Sequence, residues 1–295
     1  DFTVNAMSYD IADFSIIDYL GGKADLESAV IRTIGDPRVR FTEDPVRMLR
    51  AVRFAAQLGF RIDGDTWEAM VELAPAIARA TPPRLYEEVL KLFLCGEGEA
   101  AYQLLRRSGL FAHLFPEYDR WLARESGGFP HVGASRALER VDETVRKKSP
   151  PSPGLLLAMV FGDYLEEKGA ELKAQGLPPQ QGVDQAVAEF VQATAPVVLI
   201  PNRAALVLRD ILYAPNRFRK IPGRRAESFT QRPSFREALE YFRFTTEQTG
   251  GSMRQVQWWE QLAAGAPVEA PEAAAEGAPK RRRRRRRKPR PTGEA

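Results

Sequence analysis

Residues Thr42–Phe54 read TEDPVRMLRAVRF, and the character of the chain changes here. Asp44-Pro45 is a helix start, with an aspartate to cap the free N–H groups and a proline at the first helical position. Met48, Leu49, Val52, Ala55 and Ala56 then recur at helical spacing as one apolar stripe, and Gly59 supplies the stop. Upstream, Phe14–Tyr19 (FSIIDY) and Ala29–Ile34 (AVIRTI) are short and β-branched, and are bounded by Gly21-Gly22 and Gly35-Asp36-Pro37. They read as a pair of strands joined by a glycine-containing connection. Two strands alone are marginal, so they are expected to belong to a larger sheet. Downstream the helical period persists, with stripes at Trp67–Ile77, Leu85–Phe93, Ala137–Val145, Leu155–Leu165, Val183–Val191, Ala205–Leu212, Phe235–Phe244 and Met253–Leu262. The expected fold class is mainly α: a short β portion, an all-helical remainder and a basic tail.

The 295 residues carry a formal net charge of +4, unevenly placed. From Ala266 onward there are ten basic and four acidic residues, net +6, which leaves −2 for residues 1–265. The segment 266–279 is Ala/Pro/Glu-rich without apolar periodicity and reads as a disordered linker. It leads into nine consecutive cations, Lys280, Arg281, Arg282, Arg283, Arg284, Arg285, Arg286, Arg287 and Lys288. Such a run suits a sequence-blind grip on phosphate backbones; a solubility tail or a localisation address is the plainer alternative. Cys95 is the sole cysteine, which excludes an internal disulfide and any multi-cysteine zinc site. Two histidines, His113 and His131, leave little room for histidine-based metal catalysis. The longest apolar stretch, Gly154–Gly162, is about half of a membrane span. A reduced, cytoplasmic protein with no membrane partner is expected.

Arg47, Arg50 and Arg53 follow Asp44 three residues apart and spread over about a third of the helix circumference, off the apolar stripe. A carboxylate beside a guanidinium accepts from an exocyclic amine and donates to the adjacent ring nitrogen. Adenine and cytosine present that edge; guanine and uracil present the reverse. The remaining forks match phosphate oxygens. The same spacing also suits an ordinary surface helix with a capping aspartate and solvated arginines.

Three motifs then coincide in order and spacing: Asp1-Phe2-Thr3-Val4-Asn5-Ala6; Asp18-Tyr19-Leu20-Gly21-Gly22-Lys23-Ala24-Asp25-Leu26; and Glu43-Asp44-Pro45-Val46-Arg47-Met48-Leu49-Arg50-Ala51-Val52-Arg53-Phe54. Together they resemble the class II nucleotidyltransferases, the superfamily of CCA-adding enzymes and bacterial poly(A) polymerases. Arg84-Leu85-Tyr86-Glu87-Glu88-Val89-Leu90-Lys91 is similar to that family's next helical motif. Arg254-Gln255-Val256-Gln257-Trp258-Trp259, with the arginine-rich tail, is similar to the poly(A) polymerase branch.

The resemblance implies a template-independent adenylyltransferase that extends RNA 3′ ends with ATP. A CCA-adding enzyme acting on tRNA, or a non-catalytic RNA-binding helical protein, is the alternative. It implies Mg²⁺ held by an Asp-x-Asp pair in an N-terminal head, and it implies that this chain begins inside that head. Asp1 would be the aspartate of an Arg-Arg-Asp motif at the catalytic site, with the metal ligands upstream and none in this chain. The chain alone is then expected to leave RNA length unchanged. Asp44 and Arg47 would face the incoming base, Arg50 and Arg53 would support the triphosphate or brace that base-reading pair, and Asp18, Gly21, Gly22 and Asp25 would form a hinge-like segment between head and neck. The implied organisation is a C-terminal remnant of the nucleotidyltransferase head (1–40), a helical neck binding nucleotide and RNA (41–116), a helical RNA-binding body (117–265) and the disordered Arg-rich tail (266–295). Glu87 and Lys91 read as an i, i+4 pair. Trp258 and Trp259 suit either base stacking or core.

Overall fold

The computed structural model describes residues 1–124, 131–221 and 225–266. The linker and the Lys280–Lys288 run lie outside them.

The chain enters on a 3₁₀ turn, Thr3–Asn5, followed by strands β1 (Ser8–Tyr9) and β2 (Ile16–Ile17). These pair antiparallel, with Ser8 opposite Ile17 and Tyr9 opposite Ile16. Helix α1 (Gly22–Glu27) separates them from β3 (Val30–Ile31). β3 pairs in parallel with β4 (Arg61–Ile62), beyond the helices α2 (Pro37–Glu43) and α3 (Val46–Leu58). The two β-branched runs are therefore not partners. Gly21 takes the left-handed conformation (φ 76°), and Asp18 accepts from the N–H groups of Leu20, Gly22 and Lys23. The supposed strand connection is thus a helix start, which diverts the chain before β3.

Asp36 caps α2 by accepting from the Arg38 and Val39 N–H groups, with Pro37 at the first helical position. The α3 stripe is buried as expected, and Gly59 (φ 66°) closes the helix. Its start lies one residue later than expected. Pro45 takes the cap position, and the Asp44 carboxylate accepts from the Val46 N–H. Then come α4 (Gly64–Glu72), a 3₁₀ segment Ala74–Arg79, α5 (Pro82–Phe93), α6 (Gly98–Arg107), α7 (Leu110–Leu114) and α8 (Pro116–Leu122). Beyond these lie α9 (Gly133–Arg146), α10 (Pro153–Ala174), α11 (Pro179–Thr194), α12 (Asn202–Tyr213), α13 (Pro215–Phe218), α14 (Ala226–Thr230), α15 (Phe235–Gln248) and α16 (Arg254–Ala263).

The apolar run Leu155–Phe161 is the first half of α10, which is buried on all sides by α9, α11, α12 and α15. No helix among the described residues is long and apolar enough to cross a membrane. Aromatic rings fill the centre: Phe111, Phe115, Tyr118, Phe161, Tyr164 and Phe190 in one group. Phe218, Phe229, Phe235, Phe242 and Trp259 form another. Tyr118 Oη donates to the Val160 carbonyl at 2.6 Å, and Trp259 Nε1 donates to the Phe218 carbonyl at 3.0 Å. Trp258 and Trp259 are both buried and belong to this core. Cys95 is half-buried, and burial pushes its thiol up from the ordinary value. Lys91 pairs with Glu88 at 2.9 Å, at the i, i+3 spacing, rather than with Glu87 at i, i+4.

Candidate nucleotide and RNA site

The first residues lie against α3. Phe2 is fully buried and meets Phe54 edge-on at 5.9 Å, while the Thr3 N–H donates to the Arg32 carbonyl. That docking delivers Asp1 to the arginines. Its carboxylate reaches Arg47 Nε at 3.4 Å and pairs with the Arg50 guanidinium. Arg47 Nη1 also donates to the Arg40 carbonyl at 2.9 Å and to Glu43 Oε2 at 3.1 Å, and Glu43 pairs in turn with Arg40.

Asp44 is held from the other side. Arg84, at the start of α5, lays its fork on both carboxylate oxygens: Nη1 to Oδ1 at 2.9 Å and Nη2 to Oδ2 at 2.8 Å. Burial raises the Asp44 carboxyl. The Arg84 hydrogen bonds and charge, the Val46 N–H and the nearby Arg47 outweigh it and hold the group below its ordinary value. A carboxylate has about four acceptor positions, so this arrangement leaves one on Oδ2 for a further donor. Sequence reasoning placed Arg84 in a motif but gave it no role. Its position at the head of a helix, behind Thr81-Pro82-Pro83, was the available signal.

Arg53 stands apart. It donates to Gln57 Oε1 at 3.0 Å and lies 4.4 Å over the Phe54 ring, beside a recess lined by Leu90, Lys91, Leu94 and Cys95. The structure therefore joins Asp1, Arg47 and Arg50, adds Arg40, Glu43 and Arg84 around them, and leaves Arg53 on a neighbouring face. In the immediate cluster Arg40, Arg47, Arg50 and Arg84 face Asp1, Glu43 and Asp44. The guanidinium forks of this cluster match phosphate oxygens.

Asp18 and Asp25 are structural. Asp25 is buried, accepts from Thr3 Oγ1 at 2.7 Å and pairs with Arg32, which also reaches Asp63 at 2.6 Å. Gly22 is required, because a Cβ there would stand 2.3 Å from the Thr3 carbonyl oxygen. His113 is half-buried in α7, and His131 lies on the Trp121 ring at 3.8 Å. Among the described residues no group of three or more His, Cys, Asp or Glu side chains gathers to hold a metal ion. Asp63 of the Asp63-Gly64-Asp65 run is spent on capping α4 and on Arg32. The donor set does not fit Mg²⁺.

Residues 1–32 match the family model for the poly(A) polymerase head domain. Residues 59–122 match the model for a probable RNA and SrmB-binding site of polymerase A, and 175–291 that for the polymerase A arginine-rich C-terminus. The chain belongs to the superfamily of poly(A) polymerases and CCA-adding nucleotidyltransferases. Within it, poly(A) polymerase I of Salmonella typhi is 36% identical over 272 residues, covering 91% of this chain and 58% of the relative. The Haemophilus influenzae protein of the same name is 34% identical over 263 residues. A CCA-adding enzyme of Leuconostoc mesenteroides reaches 40% identity but over only 122 residues, 41% of this chain. Among solved structures, a Thermotoga maritima CCA-adding enzyme complexed with tRNA shares the fold over 91% of this chain and 60% of its own (TM-score 0.58, 19% identity). The Bacillus stearothermophilus CCA-adding enzyme in complex with CTP covers 91% of this chain and 58% of its own at TM-score 0.51 and 25% identity. The chain spans about 58% of the length of the curated poly(A) polymerases it matches.

Proposed function

We propose that the protein is a cytoplasmic, template-independent poly(A) polymerase that extends RNA 3′ ends with ATP, and that this chain carries its nucleotide-reading helix and RNA-binding body. One observation carries the choice of branch. The curated poly(A) polymerases match 88–91% of the chain in sequence, whereas the curated CCA-adding enzymes match 39–48% of it. The match to an arginine-rich C-terminus over 175–291 supports RNA as the polymer and the reading of the Lys280–Lys288 run as a backbone grip.

At the site, Asp44 Oδ2 accepts from the adenine exocyclic amine and Arg47 Nη2 donates to the adjacent ring nitrogen. Arg84 is a positioning residue that fixes the plane of the Asp44 carboxylate. Arg50 supports the triphosphate, and Asp1 holds the Arg47 and Arg50 forks in register. Arg53 braces the helix through Phe54. The chain divides into a head remnant (1–40), a nucleotide- and RNA-binding neck (41–116), an RNA-binding body (117–265) and the Arg-rich tail (266–295), and none of its described residues holds Mg²⁺.

The test is a tailing assay on the full gene product, with Mg²⁺, each ribonucleotide separately and all four together. One labelled RNA ends in CCA and one lacks it. Long A-only extension of both RNAs is the expected result. Addition of C and then A to the tRNA-like end alone, stopping there, would overturn the reading in favour of CCA addition.

A further inference from the structure

The C-terminal ends of α12 and α13 and the start of α15 enclose a recess of about 540 Å3 whose lining includes Arg209, Tyr213, Arg217, Phe229 and Arg232. Arg209 is already neutralised there, with Asp184 and Asp210 each 3.7 Å from it. Arg217 and Arg232 are not. Neither makes an ion pair or a side-chain hydrogen bond among the described residues. Both guanidiniums instead gather on one buried ring, Phe229, at 4.2 and 5.7 Å from its centre. Burial lowers the proton affinity of Arg217 below its ordinary value, and the adjacent Arg232 charge lowers it further. Repulsion between two cations over a single ring is relieved by an anion placed between them. With two aspartates and three arginines on the wall, the recess carries one surplus positive charge. One charge matches a phosphodiester better than a phosphate dianion or a polyphosphate.

We propose that Arg217 and Arg232 form a clamp for one backbone phosphodiester of single-stranded RNA, with Tyr213 on the adjoining wall as a surface for the neighbouring base. The site is in the α12–α15 part of the fold, separate from the Asp1–Arg47–Arg50 cluster. It rests on the reading of this protein as an RNA-tailing enzyme, and it makes the folded body, not only the basic run, a determinant of RNA affinity.

The experiment uses the 295-residue chain, a fluorescently labelled oligo(A) and a mixed-sequence RNA, with anisotropy across a salt series. The variants are Arg217→Gln, Arg232→Gln, Arg217→Lys and deletion of Lys280–Lys288, each also melted with and without inorganic phosphate. Arg217→Gln and Arg232→Gln are expected to weaken both RNAs by about five- to twentyfold at 0.1 M salt. The log–log salt slope should flatten by about 0.7, one phosphate's worth for a single strand. Arg217→Lys should recover part of the loss. Unchanged affinity in both glutamine variants, with weakened binding on tail deletion, refutes the clamp and leaves the RNA reading standing. No RNA binding by the parent chain overturns both. Stabilisation of the parent by inorganic phosphate, absent in Arg217→Gln and without effect of that variant on RNA, makes this a free-anion site and overturns the proposal. Arg217→Lys binding as weakly as Arg217→Gln while melting lower assigns Arg217 to packing on Phe229, and also overturns it.

Discussion

Replacing Arg84 with methionine keeps the hydrocarbon stem against α5 and removes the fork from Asp44. The pair makes two bonds, at 2.9 and 2.8 Å. Two unit charges about 4 Å apart at an effective dielectric of about 20 attract by about 4 kcal/mol. Most of that is not realised as stability, because the Arg84 side chain is 49% exposed and that of Asp44 24%. Solvent screening and the ordering of a long side chain bring a pair of this exposure to about 1 kcal/mol, with the bidentate geometry favouring the upper part of the usual range. The measurement is a double-mutant cycle of Arg84→Met and Asp44→Asn by urea denaturation at pH 7. A coupling of about 1 kcal/mol that shrinks in 1 M salt is expected. The pH dependence has a fixed sign. The folded Asp44 carboxyl is held below its ordinary value, so its contribution is complete above the unfolded-state value of about 3.9 and is lost as pH falls through the lower folded value. The stability gap between the parent and Asp44→Asn should therefore be widest near neutrality and close on acidification. A coupling below about 0.3 kcal/mol, or a gap that widens toward acid, would refute the account of Arg84 as the residue that holds Asp44.

Three further outcomes follow from other parts of the molecule. Gly22→Ala sets a Cβ 2.3 Å from the Thr3 carbonyl oxygen and 3.0 Å from Met7 Cγ, so it should cost about 1–3 kcal/mol in urea denaturation; a neutral effect would mean α1 is free to shift. Tyr118→Phe removes a buried donor from the Val160 carbonyl and should lower stability by about 1–2 kcal/mol, with an unchanged midpoint as the contrary result. Deleting Lys280–Lys288 should weaken single-stranded RNA of any sequence by a similar factor and flatten the salt slope, whereas loss confined to one sequence would argue for a base-reading role.

The helical period was written plainly, so the α3 stripe, its glycine stop and the helices beyond could be placed from residues alone. Strand pairing could not. Val30–Ile31 and Ile16–Ile17 are two residues each, too short to show a period, and which segment β3 meets depends on the return of the chain after α3. The arginines of α3 were visible by spacing, but their partners come from elsewhere in the sequence: Asp1 from the start of the chain and Arg84 from α5. Spacing along one helix shows which side chains share a face; it carries no record of what another segment lays against that face. Trp258 and Trp259 show the same limit from the other side. Two adjacent tryptophans suit a stacking platform or a core equally well until the Phe218, Phe229 and Phe235 rings are seen around Trp259.

The attachment of residues 1–5 to α3 has a mechanical consequence. Phe2 is wedged beneath Phe54, Thr3 is tied to Arg32 and Asp25, and Asp1 grips Arg47 and Arg50. These contacts tie the 3₁₀ turn at residues 3–5 and the residues before it to two guanidiniums of α3. The alignment of the two α3 arginines therefore depends on residues far from them in sequence, and a change that loosens Phe2 from Phe54 would be felt at both forks.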